Sequence, residues 1–173
     1  MDMKKNKGFT LVEIIVVLAV STIILGMVAT LSVLTTKIVQ NQKHSTACIS
    51  EFSSAKNEVE TFISNYSTDS YTIYLQQNTD DDNNVYYGSL IIKNASTLEE
   101  VAWIEFENNT LSLFALNEET SQKTLSNSVS LSKVTKIEFD TDNSLNLLKS
   151  KFSFLDFQDQ TFLTNIGGME IGY

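Results

Sequence analysis

The feature that most constrains this chain is an unbroken apolar run close to the N-terminus. Phe9 to Leu34 reads FTLVEIIVVLAVSTIILGMVATLSVL and holds one charge, Glu13. About 26 residues at 1.5 Å each make a helix of roughly 39 Å, enough to cross a hydrocarbon layer of about 30 Å with some tilt. Lys4, Lys5 and Lys7 precede it, against one acid, Asp2. The positive-inside rule then keeps this end in the cytoplasm and sends the rest across. A cleaved secretory signal would have a shorter apolar core, about 7–15 residues, followed by a small-residue cut. Ala19 and Ala29 offer only poor versions of one. A plain anchor fits the length but gives no reason for Glu13. An acid at the centre of a membrane helix costs about 2.5–3.5 kcal/mol, and less near the interface. Either Glu13 stays wet among the headgroups or it waits for a cationic partner.

Composition narrows the function classes. The 173 residues carry a net charge of −9, and all twelve basic residues are lysine. This balance argues against a nucleic-acid binder that works through a basic surface. Lys133, Lys136, Lys149 and Lys151 are the only lysines clustered closely enough to consider for DNA. A single cysteine, Cys48, rules out an intrachain disulfide. The single histidine, His44, leaves no multi-histidine metal site. The two lie four apart on one helix face; we read them as a solvent-facing histidine and a half-buried cysteine. No phosphate loop, HExxH pair or nucleophile elbow occurs, so no catalytic residue and no cofactor is expected. Glu99-Glu100 and Glu118-Glu119 read as solvated faces or loop ends.

Beyond Leu34 nothing breaks the helix, because no proline or glycine falls between Met27 and Gly88. Ile38, Ile49, Phe52, Ala55, Val59, Phe62, Ile63 and Tyr66 form an apolar stripe, with helical steps from Ile49 onward. A helix from Phe9 to Asn65 would be about 86 Å long. After Ser70 the period becomes two. Strands are expected around Tyr71–Leu75, Tyr86–Ile92, Ala102–Phe106, Leu111–Ala115, Val134–Phe139, Leu145–Phe154, Phe162–Ile166 and Met169–Tyr173. Asn108-Asn109 marks a hairpin turn, and Gly167-Gly168 a break. This pattern is α+β, one helix laid on a mostly antiparallel sheet. Phe139, Phe152, Phe154, Phe157 and Phe162 are read as core of the last strands rather than an adhesive patch.

The segment Lys7-Gly8-Phe9-Thr10-Leu11-Val12-Glu13 with the apolar run behind it resembles the class III signal of type IV pilins and pseudopilins. The resemblance covers about residues 4–34. It implies a type IV pilin-like fold and the following organisation: residues 1–8 as a cleaved cytoplasmic leader, 9–34 as the membrane and filament-core half of the helix, 35–66 as an amphipathic stem and 71–173 as a β-rich head. It implies cutting by a prepilin peptidase between Gly8 and Phe9 and N-methylation of the new Phe9 amine. It also implies pairing of that amine with Glu13 of a neighbouring subunit during assembly. The partners implied are other pilin-like subunits, membrane lipid before assembly, and an inner-membrane assembly platform with its ATPase. Nucleic acid enters only indirectly. The implied location is the cytoplasmic membrane, single-pass with the N-terminus inside, then a surface or wall-spanning filament.

Two departures shape the expectation. Many major pilins carry a proline within this helix and a cysteine pair near the C-terminus, and this chain has neither. A minor pilin or pseudopilin is therefore expected, with any bend of the apolar half centred on Gly26. The alternative is a membrane-tethered extracellular binding module that never polymerises; Gly8-Phe9 with Glu13 separates the two. Some pseudopilins bind calcium late in the head. Here Asp140-Thr141-Asp142-Asn143-Ser144 starts like an EF-hand loop but has Leu145 where glycine is needed and Lys151 where a bidentate glutamate is needed. That loop and Asp80-Asp81-Asp82-Asn83-Asn84 read as solvated turns, and no metal is expected.

Overall fold

In the computed structural model, residues 9–79, 84–117, 119–142 and 145–172 are described. The expected leader cut at Gly8, the acids Asp80 to Asp82, Asn83, Glu118, Asn143, Ser144 and Tyr173 lie outside them. The chain divides into two compact units, Met1–His44 and Ser45–Tyr173. One helix, α1 (Leu11–Ser64), runs through the boundary. Nine strands follow among the described residues: β1 (Tyr71–Thr79), β2 (Val85–Asn94), β3 (Glu100–Glu107), β4 (Thr110–Asn117), β5 (Gln122–Ser130), β6 (Val134–Asp142), β7 (Leu147–Phe154), β8 (Phe157–Asn165) and β9 (Glu170–Gly172). The architecture is α+β: a long N-terminal helix, apolar at its start, packed on a mostly antiparallel sheet in the pilin-like manner.

Six strands form one sheet in the order β5-β4-β3-β2-β1-β9, and β6-β7-β8 form a second. All pairs are antiparallel except β1 with β9. Register puts Ile73, Ile92, Ala102 and Ala115 in one cross-strand row. Leu75, Leu90, Ile104 and Leu113 form the next. These rows supply most of the sheet's contribution to the core. The facing helix contributes Cys48, Phe52, Ala55, Val59, Phe62 and Ile63. Steps of four and three residues keep those side chains on one face of α1. Phe52 meets Phe152 edge-on at 5.5 Å between centroids and Phe162 at 5.7 Å. Helix and second sheet thus share one aromatic core. The expected phenylalanine core is present: Phe139, Phe152, Phe154 and Phe162 are buried and Phe157 packs against them.

Polar contacts pin the same face. The Glu51 carboxylate accepts from the Ser132 hydroxyl at 2.8 Å and the Lys133 backbone N–H at 2.8 Å, so α1 holds the link between β5 and β6. Farther along, the Asn127 amide donates to Glu58 at 2.6 Å. Asn108 and Asn109, both at positive φ, turn β3 into β4 as a two-residue hairpin. Gly167 has φ of +62°, and a Cβ there would sit 2.7 Å from the Ser67 carbonyl oxygen. Its N–H donates to the Asn165 side chain at 2.7 Å.

Several details differ from expectation. Ile49 is 54% exposed and Cys48 is fully buried, so the stripe starts one residue earlier. One residue is a rotation of about 100° on a helix, enough to move Ile49 off the packed face. Ile38 is also exposed. The strand expected from Leu145 starts at Leu147, because Asn146 takes a positive φ and turns the chain. β8 starts at Phe157 rather than Phe162, paired back to Phe154 across a tight turn at Leu155-Asp156. β5 was not anticipated; its sequence QKTLSNSVS has no alternation of apolar residues, since it is an edge strand exposed on both faces.

Two hydroxyls, Ser150 Oγ on β7 and Thr164 Oγ1 on β8, are buried with no hydrogen-bond partner. A buried unpaired polar group costs on the order of 1–3 kcal/mol. Ser150→Ala is therefore expected to raise the urea midpoint of the detergent-solubilised protein, whereas Phe152→Ala should lose about 3–5 kcal/mol. Ile49→Ala, on the exposed side of α1, should change stability by no more than about 0.5 kcal/mol. A loss at Ile49 comparable to that at Phe152 would contradict the assigned helix face.

Candidate functional site

The first turns of α1 carry the chemistry singled out by the sequence. Thr10 immediately precedes the helix, and Glu13 is its third residue. The Glu13 Oε2 accepts from the Thr10 backbone N–H at 2.8 Å and from the Thr10 hydroxyl at 2.9 Å. In return the Glu13 N–H donates to Thr10 Oγ1 at 3.3 Å. This reciprocal arrangement is a capping box, and it satisfies backbone donors that have no partner inside the helix. The acid also lies at the positive end of the helix dipole. Glu13 thus has a local role that the sequence reading missed, although Thr10-x-x-Glu13 is the usual pattern for it. The cap leaves the carboxylate's charge in place. Phe9, next to it, is 83% exposed.

The helix behind the cap suits lipid. It is long and apolar enough to cross a membrane, and none of its most apolar 18-residue stretch is buried. Four of its threonine hydroxyls are folded back onto the helix. Thr22 donates to the Ala19 carbonyl at 2.8 Å, Thr30 to Gly26 at 2.9 Å, Thr35 to Leu31 at 2.8 Å and Thr36 to Ser32 at 2.9 Å. These four hydroxyls, which would be orphaned in hydrocarbon, therefore have partners within the helix. At Gly26 nothing lies within 4 Å of an added Cβ, so its small size leaves a gap on the helix surface.

Other candidates resolve differently. His44 is half-buried and not solvent-facing, and Cys48 is buried rather than half-buried. Among the described residues no group of three histidine, cysteine or acidic side chains is placed to hold a metal. Asp140 and Asp142 sit in β6, and the Asp140 carboxylate accepts from the Thr141 N–H at 2.9 Å. Two lysines of the cluster, Lys136 and Lys151, are matched by acids. Lys136 reaches Glu138 at 2.9 Å and lies 4.0 Å from the Tyr86 ring centroid. Lys151 lies between Asp159 at 3.0 Å and Glu138 at 3.6 Å, and Asp159 foremost holds its ammonium above the ordinary lysine range. Lys149 stands opposite Asp140 in the strand register. Lys136 and Lys151, held by acids, have little charge left for a phosphate backbone.

Residues 3–29 match the family model of the prokaryotic N-terminal methylation motif. The chain carries the class III signal of type IV pilins and pseudopilins. No curated protein and no solved structure gave a significant match. The matched segment contains Phe9, Thr10 and Glu13 and ends within the apolar half of α1. The motif supports a pilin-like or pseudopilin subunit, a structural class of protein, and implies processing by a prepilin peptidase and assembly with other pilin subunits. The apolar helix fits a membrane anchor.

Cys48 provides a pH test of the packed half of α1. Burial, then the Glu51 carboxylate, push its thiol above the ordinary value, against a smaller opposing effect of the Lys133 ammonium. The folded state therefore retains the thiol proton to higher pH than the unfolded chain. The resulting stability is fully present below the unfolded thiol's pKa and is lost as pH rises through the folded one. Urea melts between about pH 7 and pH 10 should show wild type losing stability faster than Cys48→Ala. Parallel pH profiles would contradict the burial of this thiol.

Proposed function

We propose that the chain is a minor pilin or pseudopilin, made as a membrane-inserted precursor and polymerised through its N-terminal helix. Residues 1–8 act as the cytoplasmic leader, cut between Gly8 and Phe9; 9–34 span the membrane and later the filament core; 35–66 form the stem and 71–173 the head. The N-terminus stays inside and the head is exported. The observation that carries this reading is the motif match over residues 3–29, with Phe9 and Glu13 at the start of an apolar helix whose most apolar stretch is exposed among the described residues.

Cleavage has two physical consequences. It removes three lysines and one acid, leaving nine lysines against twenty acids, a side-chain charge of −11. The electrostatic hold on the cytoplasmic face is lost with the leader. It also creates a cationic amine on Phe9, and methylation preserves that charge. The amine of an incoming subunit then meets Glu13 of one already docked. Two charges unfavourable in hydrocarbon neutralise one another, and their pairing sets the axial stagger. An assembly platform and its ATPase supply the work, since this subunit is a structural element of the fibre.

The test is an intact mass and N-terminal sequence of membrane-extracted protein co-expressed with a prepilin peptidase. A chain beginning at N-methylated Phe9 is expected, and Gly8→Val should leave the full-length precursor. A wild-type chain that still carries Met1 to Gly8 under these conditions would overturn the proposal.

A further inference from the structure

The two sheets of the Ser45–Tyr173 unit leave a concavity of about 380 Å³ that the filament reading does not use. Leu75 and Gln77 of β1, Tyr87 of β2, Asp140 and Thr141 of β6, and Ile171 and Gly172 of β9 line it. Its volume lies in the range of small-molecule sites, about 300–1,000 Å³. Leu75 and Ile171 belong to the fringe of the hydrophobic core and give it an apolar floor. The Tyr87 side chain, 40% exposed, stands at its wall, with its hydroxyl 3.4 Å from the Gln77 amide nitrogen. Asp140 and Thr141, a carboxylate-bearing and a hydroxyl-bearing residue, line it from the other sheet.

The chemistry of this lining selects a ligand class. An amide, a phenol, a hydroxyl and a carboxylate together offer donors and acceptors at several points. Among these residues the only formal charge is negative, which disfavours phosphate, nucleic acid and acidic sugars. An apolar floor beside an aromatic side chain takes a ring with one C–H face, and the polar rim takes its equatorial hydroxyls. We propose that this concavity binds an uncharged sugar ring, with Tyr87 as its stacking wall and Asp140 and Gln77 as the hydroxyl partners. Such a site would give the head a ligand independent of polymerisation.

The experiment is saturation-transfer NMR on the detergent-solubilised full chain, using the methyl glycosides of glucose, galactose, mannose and N-acetylglucosamine as separate probes. At least one is expected to bind with a Kd on the order of 1 mM. Tyr87→Ala and Asp140→Asn should each weaken it about tenfold or more while leaving the thermal melt unchanged. Lys56→Gln, on α1 away from this lining, checks that the signal is not general. No transfer to any of the four at about 20 mM would overturn the proposal. So would binding that survives both substitutions, or binding of ethylammonium with no glycoside bound, which would mark a cation site. Because the measurement needs neither leader cleavage nor assembly, its failure and that of the filament reading are separable.

Discussion

A single carboxylate at the head of an apolar helix sets the terms for the rest of this protein. Glu13 is the only charge between Phe9 and Leu34. The capping box with Thr10 gives its oxygen two donors and completes the helix end. Hydrogen bonds to a neutral group leave a full negative charge, which hydrocarbon does not tolerate without a counter-charge. The local cap and the proposed intersubunit pair would therefore answer different needs. One orders the helix terminus in a lone subunit; the other would remove a charge that burial in a filament core makes costly.

The second half of α1 solves a different problem. There the helix must cover β-sheet surface and still be soluble on its outer side. Cys48, Phe52, Ala55, Val59, Phe62 and Ile63 do the covering. Glu51 and Glu58 lock the edges of the packed face to the β5–β6 link and to β5. The other side of the six-stranded sheet carries its own row, Tyr74, Ile91, Trp103, Phe114 and Leu125. The Lys123 ammonium lies 4.2 Å from the Phe114 ring centroid and 5.1 Å from that of Trp103, and pairs with Glu105. A charged roof of this kind lets an aromatic row face water.

Much of this was legible in the sequence where one physical rule dominates. The apolar run, the change of period after Ser70 and the Asn108-Asn109 turn each depend on local composition, and each is found in the structure. The stripe was read one residue late because Ile49 is the more apolar neighbour of Cys48, and only the tertiary partner decides which of two adjacent positions is packed. β5 was invisible because an edge strand is held by backbone pairing and needs no apolar alternation. The split into two sheets and the parallel return of β9 are long-range pairings that no local pattern encodes. At the site, Phe9 and Glu13 were found from the motif. Thr10 was not marked, because its role is a local cap that reads in the sequence as an ordinary polar residue before an apolar run. The sugar-sized concavity draws on four strands far apart in sequence, so no motif could have marked it.

The central claim is that Glu13 of one subunit is neutralised by the Phe9 amine of another. Filaments grown from a mixture of isotopically light and heavy subunits, treated with a carbodiimide and digested for mass spectrometry, test it directly. The account predicts a Phe9–Glu13 amide joining light to heavy peptides, absent from Glu13→Gln subunits. Assembled filaments that yield this amide only within a single subunit, or not at all, would contradict it.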